Sequence, residues 1–407
     1  MRTAASTSPG IFAALVHYPT YRRLWLGSQA ASLGQWMQQV ALGWLAYSLT
    51  DSALVLGLVG LMAGLPFLVV AIPGGLLIDR VDRRRLMLAC QAAAALLAVV
   101  VATDVIGGWV QPWHLLAAAF LNGSLQAILN PTQQSLVPAL VDRADLTNAI
   151  GLNSAGQNMT RVVGPSLAGG MIGLFGVGSA FLLQAAALCG AFVLVSGITV
   201  PPRQPGQAVP GPRSVFDGVR LISSRPDLRG LFLLACVPTF FVFPYIQFLS
   251  VFARDILHIG ASGLGLLMAA SGSGAVIGSL MTAARRQFAG AGRTLILMTI
   301  GYGAIIVGIA TSRSVYLTLP LLVCAGILGA SYMTTNNALL QHRITDDVRG
   351  RVIGAYMLTF GLMPLGAMPM GILADHVGAP VAVATGAVIS SALAALVGFS
   401  SRDLREL

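Results

Sequence analysis

The sequence predicts an all-α integral membrane protein with twelve transmembrane helices in two six-helix halves. Three observations predict it. The 407-residue chain is 56% hydrophobic and only 9% charged, with a mean hydropathy of +0.80, whereas a soluble chain carries about a quarter charged residues. Apolar runs of the roughly 20 residues needed to cross a bilayer core recur along the whole length. The basic residues collect in alternate gaps between those runs, as the positive-inside rule requires. A soluble enzyme, a disordered scaffold and a secreted disulfide protein are all excluded by this composition.

Taken in order, the first six spans cover about 24–49, 55–78, 86–106, 112–134, 147–174 and 178–200. The second six cover about 230–252, 260–284, 293–312, 315–338, 351–372 and 379–400. The runs are too long, and too poor in strict alternation, to be barrel strands. All 24 basic residues are arginine, against 14 acidic residues, for a net charge of +10. With the N-terminus placed in the cytoplasm, 21 arginines fall in cytoplasmic segments, only Arg254 and Arg313 fall outside, and Arg161 lies within a span. Both termini are therefore expected on the cytoplasmic side of a bacterial plasma (inner) membrane, the arginine-only, Ala- and Gly-rich usage fitting a bacterium. The same clustering explains the basic excess without nucleic acid, so no nucleic-acid partner is expected. Cys90, Cys189, Cys236 and Cys324 lie in apolar runs without paired spacing and read as packing residues rather than disulfides or a metal site.

Three segments follow from this count: 1–200 as the N-terminal half, 201–229 as a cytoplasmic linker and 230–407 as the C-terminal half. Pro201, Pro202, Pro205, Pro210 and Pro212 make the start of the linker extended. Val215, Phe216, Val219 and Ile222 then recur at helical spacing, predicting a short amphipathic helix on the inner membrane surface. Asn148-Ala149-Ile150-Gly151 after the fourth span echoes Arg351-Val352-Ile353-Gly354 after the tenth, at an offset of 203 residues. Paired halves of this kind are a transporter architecture with a substrate site at their interface.

Between spans two and three the chain reads Gly75-Leu76-Leu77-Ile78-Asp79-Arg80-Val81-Asp82-Arg83-Arg84-Arg85. This resembles the GxLaDrxGrk signature of the major facilitator superfamily, in the loop where that family carries it. Asp82 departs from the pattern, which usually has Gly there. An acid at a helix end can pair with arginines and with the N-terminus of a neighbouring helix. Gly75, Asp79, Arg80, Arg83 and Arg84 are thus the expected conformational latch. A similar stretch, Gly371 to Gly378 with Asp375 in it, falls in an outer loop without arginines and is not given that role.

Tyr21-Arg22-Arg23-Leu24-Trp25, Gly34-Gln35-Trp36-Met37-Gln38-Gln39-Val40-Ala41 and Gly164-Pro165 resemble the macrolide-efflux and siderophore-exporter-like branch of that superfamily. Proton-driven exporters of the superfamily carry Gly-x8-Gly-x3-Gly-Pro-x2-Gly-Gly in span five. Here Gly151, Gly164, Pro165 and Gly169 match, while Thr160 and Ala168 do not. The resemblance implies a secondary active exporter of drug- or siderophore-like amphipathic molecules working by alternating access and proton antiport. An importer or uniporter of a small metabolite with the same fold is the alternative. Monomer is the family default. No cofactor is expected, since neither nucleotide nor metalloenzyme motifs occur.

The resemblance places spans one, four, seven and ten around the pathway, and polar stripes lie in them. Span one carries Ser32, Gln35 and Gln39 on one face with Gln38 beside it; span four carries Asn122, Gln126 and Asn130 at four-residue steps. Span ten carries Tyr332 and Asn336. Span seven offers Phe240, Phe241, Phe243 and Tyr245, an aromatic surface suited to bulky ligands. Arg161, in the middle of span five, would cost several kcal/mol facing lipid, so it must face the interior, a water-filled path or a partner. It reads either as recognising an anionic or oxygen-rich substrate or serving coupling, or as an arginine satisfied by carbonyls and polar neighbours. Ser154, Gln157 and Asn158 share its side of the helix. Gln35, Gln39, Asn122, Gln126, Arg161, Tyr245, Tyr332 and Asn336 are the expected cavity residues. No Asp or Glu lies in the middle of any span, so proton coupling is implied by the resemblance alone. Asp51 or Asp104 near the outer face are the candidates, and a uniporter or another coupling ion is the alternative.

Overall fold

Pro19 opens the first long helix, because its fixed φ suits a first turn where the missing N–H costs nothing. The computed structural model describes residues 12–70, 81–199, 212–284, 290–401 and 404, and every regular element among them is helical. A short α1 (Ala13–His17) precedes α2 (Pro19–Thr50) and α3 (Ala53–Val69). Asp51, at φ 50°, closes α2, and the Ser52 hydroxyl then accepts from the Val55 N–H at 3.3 Å to start α3. The next four are α4 (Arg83–Ile106), α5 (Pro112–Leu140), α6 (Leu146–Phe175) and α7 (Val177–Ser196). Asp82 caps α4, its carboxylate accepting from the Arg85 N–H at 2.8 Å, which gives the departure from the family pattern a local reason. Gly176, at φ 81°, makes the sharp turn between α6 and α7 that a side chain would strain.

After the linker come α8 (Pro212–Ser224), α9 (Pro226–Phe241), α10 (Tyr245–Val251) with a π-helical turn over Phe252–Ile256, and α11 (Gly260–Ala283). Then follow α12 (Ala291–Thr311), α13 (Val315–Arg343), α14 (Asp346–Met357), a 3-10 turn over Leu358–Gly361, α15 (Leu362–Val377) and α16 (Ala379–Ser400). The expected seventh span is broken between α9 and α10, where Pro238 sits inside α9 and Pro244 lacks the N–H that would continue it. The expected eleventh span is interrupted by the 3-10 turn and runs on to Val377. Asp375 therefore stands on the last turn of α15, not in a loop. The amphipathic stretch of the linker forms α8, which packs on α14; a Cβ on Gly218 would lie 2.1 Å from the Arg351 carbonyl oxygen.

Among the described residues eight helices are long and apolar enough to cross a membrane: Arg83–Ile106, Val177–Ser196, Leu228–Ile256, Gly260–Thr282, Ala291–Thr311, Val315–Arg343, Arg351–Val377 and Ala379–Ser400. Ala53–Val69 is apolar but shorter. Helices α2, α5 and α6 are long enough, but glutamine, asparagine and arginine lower their hydropathy. Those three helices share one duty, described below.

Helices before the linker pack mainly on one another, α2 against α6 and α7, α4 against α5 and α7, and α3 against α5. Those after it do the same, α11 with α13, α12 with α13 and α16, and α9 with α15 and α16. Two strong contacts join the sets: α6 with α11 and α3 with α15. Small residues permit both. A Cβ on Gly169 would lie 2.7 Å from the Ala261 carbonyl oxygen, one on Gly265 2.6 Å from that of Pro165, and one on Gly57 2.6 Å from that of Ala367.

Candidate functional site: two joined cavities

The polar stripes of α2, α5 and α6 meet around a cavity of about 290 Å³. Ser28, Ser32, Gln35 and Trp36 come from α2, Gln126, Asn130, Gln133 and Gln134 from α5, and Gln157, Asn158 and Arg161 from α6. These three are the long helices too polar to qualify as spans by hydropathy, and this cavity is why. A second cavity of about 300 Å³ lies between the two sets of helices. Its walls are mostly apolar, with Leu56, Val59 and Phe67 of α3, Ile246 of α10, Met268 of α11 and Pro364 of α15. Gln35 and Gln126 line both cavities, so the two adjoin there.

The guanidinium carbon of Arg161 lies 5.5 Å from the centre of the Trp36 ring, a cation–π arrangement. Among the described residues it makes neither a hydrogen bond nor an ion pair. Trp36 is held in turn by Gly164, where a Cβ would come within 2.6 Å of the Trp36 Cβ. The Thr160 and Ser32 hydroxyls bond at 2.9 Å, tying α6 to α2 at the edge of the cavity. Gln38, beside the stripe, accepts from the Gln184 side-chain amide of α7 at 2.8 Å and, though largely buried, lines the second cavity.

The structure brings Gln35, Gln39, Asn122, Gln126 and Arg161 together at these two cavities. It places Tyr245, Tyr332 and Asn336 elsewhere. The Tyr245 hydroxyl pairs with Ser271 of α11 at 3.2 Å, the Tyr332 hydroxyl donates to the Leu234 carbonyl at 2.6 Å, and the Asn336 amide donates to the Leu231 carbonyl at 3.2 Å. All three are buried, and none lines either cavity. Phe240 and Phe241 stack edge-on at 4.9 Å, and Phe243 packs on Tyr302 at 5.8 Å. Beyond the break in the seventh span, Ile246 and Gln247 face the apolar cavity instead.

Of the expected latch, Gly75, Asp79 and Arg80 lie outside the described residues. Arg83 donates to the Ser135 carbonyl at 3.0 Å near the end of α5, and Arg84 donates to the Ser196 carbonyl at the end of α7. Cations at helix C-termini are favourably placed. Of the exporter motif, Gly164, Pro165 and Gly169 sit in close helix contacts, whereas Gly151 is exposed with nothing within 4 Å of a built Cβ.

A second set of contacts gathers at the end where α2 meets α3, which the arginine distribution predicts to face outward. Arg254 pairs with Asp51 at 2.6 Å and donates to the Tyr47 carbonyl at 3.1 Å, and the Tyr47 hydroxyl bonds Asp255. Asp375 on α15 accepts from the Ser52 hydroxyl at 2.8 Å and from the Leu54 N–H at 3.1 Å, capping α3 from across the interface. Sequence reasoning assigns Asp375 no such role; its spacing from Gly371 is visible, but not what its helix end meets. Asp104 pairs with His114 at 2.7 Å, away from both cavities.

Residues 10–406 match the family described as transmembrane secretion effector. The chain is 24% identical over 351 residues to the staphyloferrin A transporter of Staphylococcus aureus, covering 85% of this chain and 87% of that protein. It is 23% identical over 374 residues to macrolide efflux protein A of Streptococcus pyogenes, covering 87% and 89%. A solved bacterial homologue of the human lysosomal transporter Spinster, inward-facing and unoccupied, superposes with a TM-score of 0.73 at 16% identity, over 95% of this chain and 96% of that one.

Proposed function

The chain belongs to the transmembrane secretion effector family of major facilitator transporters and is not an enzyme, and on that premise we propose that it is a secondary active exporter of small amphipathic molecules. Its helices cross the membrane twelve times as two six-helix halves, 1–200 and 230–407, with both termini in the cytoplasm of a bacterial inner membrane and α8 riding on the inner surface. The protein works as a monomer. The halves rock about the two joined cavities, opening them to one side and then the other.

One observation carries this reading: an apolar cavity walled by helices of both sets adjoins, at Gln35 and Gln126, a polar cavity walled by one set alone. The first changes shape when the sets move; the second travels with its own set. The siderophore and macrolide names of its relatives support export, as do Gly164, Pro165 and Gly169 in the expected register. Contacts at the Asp51 and Asp375 end hold one side shut, and the Gly75-to-Arg85 segment latches the other.

Proton antiport is the coupling implied by the resemblance. A uniporter is the second reading, favoured by the lack of any Asp or Glu in the lining of either cavity. Purified protein in liposomes, given a naphthylamine dye and either a pH gradient or a potassium-valinomycin potential, separates the two. Antiport gives dye movement that follows the pH gradient and stops with an uncoupler. Movement that ignores the pH gradient supports uniport, and no protein-dependent movement of any amphiphile in a broad panel overturns export.

A further inference from the structure

We infer that the polar cavity is an anion subsite, in which Arg161 takes the carboxylate of an amphipathic organic acid whose apolar body lies in the adjoining cavity. The inference rests on the reading of these cavities as the substrate path. A structural arginine inside a membrane protein spends its donors on carbonyls or a counter-ion, and Arg161 makes no such bond among the described residues. Its charge is also uncompensated by the cavity itself. Among the described residues the lining offers Gln126, Asn130, Gln157 and Asn158 but no carboxylate, and the neighbouring cavity adds none. Trp36 lies beside the guanidinium, its ring centre 5.5 Å from the central carbon, and the N–H groups, unpaired among the described residues, are left for an incoming acid.

A second polar group lacks a partner in the same place. The Ser28 hydroxyl lines this cavity, is 2% exposed and has no hydrogen-bond partner among the described residues. A buried hydroxyl without a partner costs free energy that a ligand oxygen would recover. The amides present both N–H donors and carbonyl acceptors, so they suit an oxygen-rich head group without fixing its charge. Arg161 fixes the charge. Leu56, Val59, Ile246 and Met268, across the shared Gln35 and Gln126, give the apolar body its place. A cationic head would instead meet an uncompensated positive charge at short range.

The test uses the full chain in phosphatidylcholine nanodiscs, so that no anionic lipid competes. Three probes share one ring system: 1-naphthaleneacetate, 1-naphthaleneacetamide and (1-naphthylmethyl)trimethylammonium. Calorimetric binding is expected to favour the carboxylate at least tenfold over both others. Arg161→Gln is expected to bring the carboxylate down to the level of the amide while the amide is unchanged, and Arg161→Lys to keep part of the preference. Asn158→Asp places an acid one helical turn from Arg161 without removing it, and is expected to weaken the carboxylate about tenfold and raise the ammonium probe. The inference is overturned if the amide or ammonium probe binds wild type as well as the carboxylate does. It is also overturned if the preference survives both Arg161→Gln and Asn158→Asp, or if the carboxylate does not bind at millimolar concentration. Binding in nanodiscs is read without transport, so a failed export assay leaves this result standing and the reverse also holds.

Discussion

The two cavities are nearly equal in volume, about 290 and 300 Å³, yet they are built on opposite principles. The polar one is walled by α2, α5 and α6, which all belong to the set before the linker. The apolar one is walled by helices of both sets, so its walls depend on how those sets sit together. Directional groups that recognise a head group need fixed positions, whereas an apolar wall grips without direction and can open. The difference teaches how, on the proposed function, one site would bind selectively and still release: the polar part belongs to one set of helices, and the part shared between sets is apolar.

The largest expected effect comes from the contact on which movement of the sets depends. Gly169→Leu forces a side chain into the Ala261 carbonyl and the Gly265 backbone. Overpacking of this kind costs about 1–3 kcal/mol, and flux in liposomes should fall tenfold or more. Gly151→Ala, at a motif position with open space around it, should transport like wild type. Equal losses at both positions would mean that the motif acts through something other than helix contact.

Next is one of the two residues the cavities share. Gln126→Leu removes a buried amide that faces both, and a hydrogen bond lost there is worth about 1 kcal/mol. Binding of an acidic probe should weaken about fivefold, with the loss in affinity rather than in maximal rate. Binding at the wild-type level would separate the cavities into unrelated spaces.

Much of this division is legible in the sequence. A period of 3.6 picks out Asn122, Gln126 and Asn130 because polar residues stand out against an apolar helix, and Arg161 stands out for the same reason. Tyr245, Tyr332 and Asn336 have the same look, yet their side chains bond across to Ser271, Leu234 and Leu231 in packing. Periodicity names the face of a helix but not its neighbour. Gln133, Gln134 and Trp36 escape notice as lining for the same reason, and Gln247 because the break before α10 turns the helix. Asp375 reads as a loop residue because the apolar run fades before its helix ends.

A smaller effect is expected at that acid. Asp375→Asn weakens a carboxylate at the N-terminus of α3, worth about 0.3–1 kcal/mol. The population open at the Asp375 end should rise about twofold to fivefold, as read by spin-label distances between α3 and α15. An unchanged distribution would show that the cap does not hold this end. Smallest of all is Asp51→Asn. Its partner Arg254 is one-third exposed and Asp51 itself mostly exposed, and exposed ion pairs contribute about 0–1 kcal/mol. Transport should stay within about threefold, and abolished transport would promote Asp51 from a surface contact to a coupling residue.

The most direct measurement joins Ser52 to Asp375, whose side chains touch at 2.8 Å across the interface of α3 and α15. In a background with Cys90, Cys189, Cys236 and Cys324 replaced, Ser52→Cys and Asp375→Cys are introduced together and oxidised in liposomes. A disulfide there should stop transport while leaving binding of an acidic probe intact, and reduction should restore flux. Transport by the oxidised protein at the rate of the reduced one would contradict the account, because the two sets of helices would then have no need to part.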